Sequence, residues 1–224
     1  MDELTEIPQM TLEFFGINLV FNTQTILMTW VVMAALIGFG FLATKKIGFL
    51  PNPFQVVGEL LVTVFQGLTL DALGEDLAKK YFPLICGLFM FLLLSNWLGI
   101  IPELSEPTKD LNTPLGLGIM GFCIAHYSGI KAKGFKAYVK GYTEPIIFLA
   151  PLNVIGEISK VISISFRLFG NIMGGAIIIL VVSHLVYSLI LPPALNLFFG
   201  LFVGTIQAFV FTMLTLVYIS VQVN

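Results

Sequence analysis

Glu157, Lys160, Arg167 and Asn171 stand in an otherwise largely apolar run at spacings of 3, 7 and 4 residues. At 100° per residue these four fall within about 80° of one another, so a helix carries them as one polar stripe along a single face. Between Phe148 and Leu191 the only Asp, Glu, Lys or Arg residues are Glu157, Lys160 and Arg167. A guanidinium keeps its proton in any protein setting and offers five N–H donors. Holding one at mid-bilayer costs at least about 2.5–3.5 kcal/mol, so such residues face protein or water and mark ion paths. The chemistry of this stripe is therefore the passage of a small ion, with Arg167 as the fixed charge beside its route. Glu157 and Lys160 could equally be a self-satisfied pair one turn apart. No other intramembrane carboxylate of the chain is an obvious partner for Arg167, which places its counter-ion on another subunit.

Other polar residues near such a path are fewer. Gln207 stands among Phe, Val and Leu in the last apolar segment and is the residue to aim at Arg167, although a lone Gln there also serves as interhelical glue. His184, near the end of the long segment, could titrate near neutral pH or simply pack. His126, beside Tyr127 near a membrane edge, is a weaker candidate. Metal-ligand spacings, a phosphate loop and a nucleophile elbow are missing, so neither a cofactor nor an enzyme active site is expected. Cys86 and Cys123 both lie inside apolar segments and read as small core residues rather than a disulfide.

The elements that position the stripe follow from composition. Of the 224 residues, 57% are hydrophobic and 11% are charged, about half the charged share of a soluble protein. Segments 24–44, 81–101, 113–130, 146–191 and 194–222 are long and apolar enough to cross a core that needs roughly 20 residues. The fold class is thus an all-α polytopic membrane protein, a single membrane domain of about five transmembrane helices, the last two long. Residues 54–80 mix apolar residues at helical spacing with Glu59, Asp71, Glu75, Asp76, Lys79 and Lys80, the pattern of an amphipathic interfacial helix after a break at Pro51 and Pro53. From Asn153 to Leu191 a helix would run roughly 58 Å, so it must tilt or bend before Pro192-Pro193 breaks it.

Lys45 and Lys46, and then Lys131, Lys133, Lys136 and Lys140, mark cytoplasmic loops by the positive-inside rule. The acidic segment 1–23 and the loop with Glu103, Glu106 and Asp110 fall outside, and the C-terminus falls inside. Asp2, Glu3, Glu6 and Glu13, with no Lys or Arg before residue 21, are the reverse of a cleavable signal. A bacterial inner membrane is the default location. The net charge of −2 says little about partners, and no nucleic acid is expected.

These residues carry a resemblance. Ser159-Lys160, Ser163, Ser165 and Arg167-Leu168-Phe169-Gly170-Asn171 resemble the arginine signature of subunit a of the F-type rotary ATP synthases. Gln207-Ala208-Phe209-Val210-Phe211, Val217-Tyr218-Ile219-Ser220, Asn96-Trp97-Leu98-Gly99 with Pro102, and Asp110-Leu111-Asn112-Thr113 are similar to further motifs of that family. The likeness covers nearly the whole chain and is weakest before about residue 80.

The resemblance implies an ion-translocating stator subunit whose two long tilted helices curve around a ring of c subunits. Other partners would be peripheral-stalk b subunits, the remaining ATP synthase subunits and the lipid bilayer. Arg167 would face the ring carboxylate between two offset half-channels, with Asn171 and Gln207 as its polar flanks. The chain departs from the family where many relatives carry an acid and this sequence has Ala176, so a proton path there would have to use water or another residue, with Glu157 or His184 as candidates. Either a proton or sodium would then be the coupling ion. A stand-alone ion channel or transporter, or a membrane subunit whose stripe merely docks a partner, are the competing readings.

Overall fold

The computed structural model describes residues 9–14, 17–45, 53–101, 104–143, 148, 150–185 and 191–223. An antiparallel hairpin of β1 (Gln9–Phe14) and β2 (Ile17–Asn22) comes first, with Gln9 opposite Asn22 and Phe14 opposite Ile17. The other regular elements among the described residues are helical, as the all-α polytopic expectation required. They are α1 (Thr23–Thr44), α2 (Pro53–Leu73), α3 (Glu75–Trp97), α4 (Asn112–Lys133), α5 (Phe135–Thr143), α6 (Ala150–Leu185), α7 (Leu191–Leu197) and α8 (Gly204–Val223). Short 3-10 turns at Leu98–Ile100 and Pro107–Lys109 lie between α3 and α4, and a π-helical stretch, Phe198–Val203, joins α7 to α8.

Five described helices are long and apolar enough to cross a membrane: Thr23–Thr44, Pro53–Leu73, Glu75–Ile100, Ala150–Leu185 and Leu191–Val223. The count matches the expectation, but by length and composition alone the set takes in α2 and leaves out α4. Helix α2 starts beside the end of α1, with Gly58 against Ala43, and Ala72 near its other end meets Ser220 of α8, so contacts alone do not carry it across the bundle. The chain divides at Gly74, not after residue 80. Gly74 has φ 75°, a conformation glycine adopts without cost, and Ala78 N–H bonds the Gly74 carbonyl to start α3 there. Glu75, Asp76, Lys79 and Lys80 therefore belong to α3, which leaves α2 more apolar than 54–80 taken together. α4 is less apolar than the sequence expectation required, because Gly116, Gly118, Gly121, Gly129, His126 and Ser128 dilute it. Residues 186–190, the C-terminal end of the long segment, and Glu103 lie outside the described residues.

The core forms where α8 packs among α3, α4 and α6. Ile85, Leu92, Leu168, Phe211, Leu216 and Ile219 are fully buried there. Small residues on α4 allow this approach: a Cβ at Gly118 would stand 2.5 Å from Ser165 Oγ on α6, and one at Gly121 would stand 3.1 Å from Thr215 Cγ2 on α8.

Polar ties close the bundle at both ends. At one end Asn96 Nδ2 donates to the Gly204 carbonyl at 2.8 Å, Thr108 Oγ1 donates to Asn96 Oδ1 at 2.8 Å, and Trp97 Nε1 donates to Thr205 Oγ1 at 2.9 Å. This is the acidic end, holding Glu106 and Asp110. At the other, the lysine end, Ser220 Oγ donates to the Ala72 carbonyl at 2.7 Å, and Tyr138 OH of α5 donates to Gln222 Oε1 at 2.9 Å. Burying such groups in pairs avoids a cost of about 1–3 kcal/mol for each orphan.

Candidate functional site

Helix α6 has 36 residues and spans about 54 Å at 1.5 Å per residue. Its buried edge is Ile164, Ser165, Leu168, Ile172 and Gly175, with Ser165 Oγ donating to the Pro114 carbonyl of α4 at 3.1 Å. Arg167 precedes Leu168 by one residue and so points about 100° away from that edge. Its side chain is exposed, and among the described residues it has neither a hydrogen-bond nor an ionic partner.

One turn on, Asn171 Nδ2 donates to Gln207 Oε1 on α8 at 2.8 Å. Gln207 is 3% exposed, and its Nε2 is buried with no acceptor among the described residues. Gln207 thus meets Asn171 rather than Arg167, and the two amides bridge α6 to α8 just beside the guanidinium. Ser163, Gly170 and Gly174 lie within about 60° of Arg167 on the same exposed face. A Cβ at Gly170 or Gly174 would meet nothing within 4 Å, so packing inside this chain requires neither glycine.

The stripe continues toward the lysine end. Lys160 Nζ donates to Glu157 Oε1 at 2.7 Å, with the lysine side chain 39% and the glutamate 18% exposed. Lys160 Nζ also lies 5.7 Å from the centroid of the Tyr218 ring, within cation–π range. The pair borders two cavities, of about 190 Å³ toward His126 and Ala125, and about 430 Å³ toward Tyr138 and Asn153. Tyr138 OH, donating to Gln222, also lies 2.9 Å from His126 Nδ1. Sequence reasoning gave His126 little weight and missed Tyr138 and Gln222 because they come from three different helices. Glu157 and Lys160 are about 15 and 10 Å from Arg167 along the axis.

A third cavity, of about 460 Å³, opens at the acidic end between α6, α7 with its π-helical continuation, and the loop before α4. Ala176 and Gly200 line it, as does Glu106, which the sequence reading treated only as an outside charge. His184 does not line it. That ring is exposed in the last turn of α6, with Nδ1 3.0 Å from the Leu180 carbonyl. No group of three or more His, Cys, Asp or Glu that could hold a metal occurs among the described residues.

The family model for the ATP synthase A chain matches residues 26–220, from α1 almost to the end of α8. The chain belongs to the ATP synthase A chain family. It is 36% identical over 208 residues to ATP synthase subunit a of Moorella thermoacetica, covering 93% of this chain and 94% of that one. Against ATP synthase subunit a 2 of Syntrophotalea carbinolica it is 39% identical over 201 residues, 88% and 84% of the two chains. The chloroplastic ATP synthase subunit a of Stigeoclonium helveticum is 37% identical over 211 residues, 90% and 85%. Membership in this family, with the apolar helices of α1 to α8, makes the chain an integral membrane subunit of the ATP synthase membrane sector, engaged in ion transport and ATP synthesis.

Proposed function

We propose that this chain is the ion-conducting stator subunit, with Arg167 facing an ion-binding carboxylate on a rotating ring of c subunits, between two offset half-channels. The observation that carries the reading is Arg167 itself: an exposed guanidinium, unpartnered among the described residues, in the middle of a long apolar helix. A charge left so in lipid would be expelled, so its face belongs against another subunit. Gly170 and Gly174 support this, because they leave room for a second helix to approach where nothing in this chain does.

The cavities supply the half-channels. The lysine end, bearing Lys131, Lys133, Lys136 and Lys140, lies in the cytoplasm by the positive-inside rule, so the cavities bordered by Glu157 and Lys160 open inward. The acidic-end cavity opens outward, with the N-terminus outside and the C-terminus inside, in a bacterial inner membrane. The Asn171–Gln207 bridge lies between Arg167 and the outer cavity.

In this mechanism a small monovalent cation, proton or sodium, enters one half-channel and loads a ring carboxylate. It rides the ring nearly a full turn and leaves by the other half-channel. Each carboxylate arriving at Arg167 gives up its ion. At an effective dielectric of about 20, a guanidinium 4 Å away favours the charged carboxylate by about 4 kcal/mol, roughly a thousandfold. The same fixed charge repels cations and bars a direct leak between the half-channels. Ring rotation drives ATP synthesis in the soluble sector, and this chain moves the ion without taking part in that synthesis itself. Its partners are the ring, the peripheral-stalk b subunits and the other synthase subunits.

Arg167→Ala in assembled complexes reconstituted into vesicles tests the proposal. Ion-driven ATP synthesis should be lost. Arg167→Lys, which keeps the charge but not the planar fork, should lose it too. Undiminished synthesis in assembled Arg167→Ala complexes would reduce the stripe to a docking feature. Synthesis measured while sodium is titrated at fixed pH separates the ions, since a sodium-independent rate excludes sodium.

A further inference from the structure

Among the described residues lining the acidic-end cavity, Glu106 is the one carboxylate. It sits in the loop just before Pro107 and folds back over the end of α3, filling the space that a side chain at position 99 would take. A Cβ built on Gly99 would stand 2.0 Å from Glu106 Cδ. This packing seats the side chain on Gly99 in the cavity lining, and the residue is only partly exposed.

The polar groups around it are engaged elsewhere. Asn196 Nδ2 donates to the Gly99 carbonyl at 3.3 Å, Ser183 Oγ donates to the Leu180 carbonyl at 2.7 Å, and Ser105 Oγ accepts from Gln24 Nε2. Asp110, in the same loop, accepts from Thr25 Oγ1 at 3.1 Å and from Asn112. Among the described residues the Glu106 carboxylate has neither a hydrogen bond nor an ion pair. Lys109, one turn of the loop away, is the only other charged group among the described residues lining the cavity. A half-buried carboxylate left without donors is an acceptor for a cation.

The floor of the cavity points inward. Ala176 and Gly200 leave it open, and Ile172 borders it immediately next to Asn171, whose amide bonds Gln207. From Ala176 to Arg167 along α6 is about 13 Å. The cavity therefore runs from Glu106 to within a turn of the amide bridge beside the arginine.

We infer that Glu106 is the cation-accepting carboxylate of the outer half-channel; the inference rests on the ion-conducting reading above. Glu106 takes a proton from hydronium, or a sodium ion from solution, at the outer mouth. It then releases the ion to water on the cavity floor, toward Asn171 and Gln207, and the reverse sequence serves export. Lys109 holds the local field down so that the ion is not retained.

The experiment uses assembled complexes in vesicles, with subunit content measured for every variant. Glu106→Gln, which keeps shape and loses charge, should lower ion-driven ATP synthesis by about a hundredfold, the scale of a lost proton-transfer group. Glu106→Asp should keep measurable synthesis with a changed ion dependence. For a proton the profile against outer pH should move, and for sodium the half-saturating sodium concentration should rise. Adding Ala176→Glu to Glu106→Gln returns a carboxylate to the same cavity and should recover synthesis to within about tenfold of the parent. Parental rates in Glu106→Gln overturn the inference, as does a loss that Ala176→Glu leaves unchanged, which would make Glu106 structural. Arg167→Ala run alongside keeps the two readings apart: if it too synthesises ATP, the ion-conducting reading itself has failed.

Discussion

At the lysine end of the bundle Glu157 meets Lys160 at 2.7 Å and Tyr138 joins two further helices, whereas at the acidic end Glu106 meets no partner among the described residues. Both ends hold a cavity and a carboxylate, yet the carboxylates differ in kind. An ion pair is already neutral, so an arriving cation must compete with an ammonium that is tethered in place. Glu106 shares its cavity with Lys109 but has no ion pair with it, so an arriving cation displaces no bonded ammonium. On the proposed reading, the lysine end orients a route and the acidic end binds what passes.

Predictions can break that contrast, taken from the largest effect to the smallest. Asn171→Leu should reduce ion-driven synthesis more than tenfold, because it strands both polar ends of the buried Gln207 beside Arg167. Parental synthesis in this variant would remove the amide bridge from the route. At the lysine end Lys160→Met should cost several-fold, since it leaves Glu157 unpaired, while the double variant Lys160→Met with Glu157→Gln should regain most of the rate. If the double variant were instead as damaged as Glu106→Gln, the two ends would be alike and the contrast would fail. Swapping the pair, Glu157→Lys with Lys160→Glu, should stay within a few-fold of the parent, because a partly exposed pair contributes only about 0–1 kcal/mol. Tyr138→Phe should be smallest: about 1 kcal/mol of stability, read as a modestly lower thermal midpoint of the complex, with transport kept.

The sequence makes α6 and its stripe legible because three charges in an apolar run leave few ways to fold. That Arg167 has no ionic partner among the described residues is in keeping with how few charges share its segment. The break at Gly74 is not, since the charges from Asp71 to Lys80 read as one amphipathic segment until a positive φ separates them. Nor does the sequence reveal that Gln207 turns to Asn171, which depends on how α8 rotates after the π-helical stretch. Glu106 is hidden most completely. In a polar loop a glutamate looks like any solvated charge, and only the approach of α3, α7 and α6 turns it into a cavity wall.

Gly170 and Gly174 carry a consequence for anyone who would improve this protein. In isolation each weakens α6 by close to 1 kcal/mol relative to alanine and serves nothing in its own chain. A search for hardier variants of the subunit alone would replace both and be rewarded for it. If the face against the ring is as proposed, the same search would fill the gap along which a neighbouring helix slides, so robustness of the single chain and fitness of the rotating machine would select for opposite residues at these two positions.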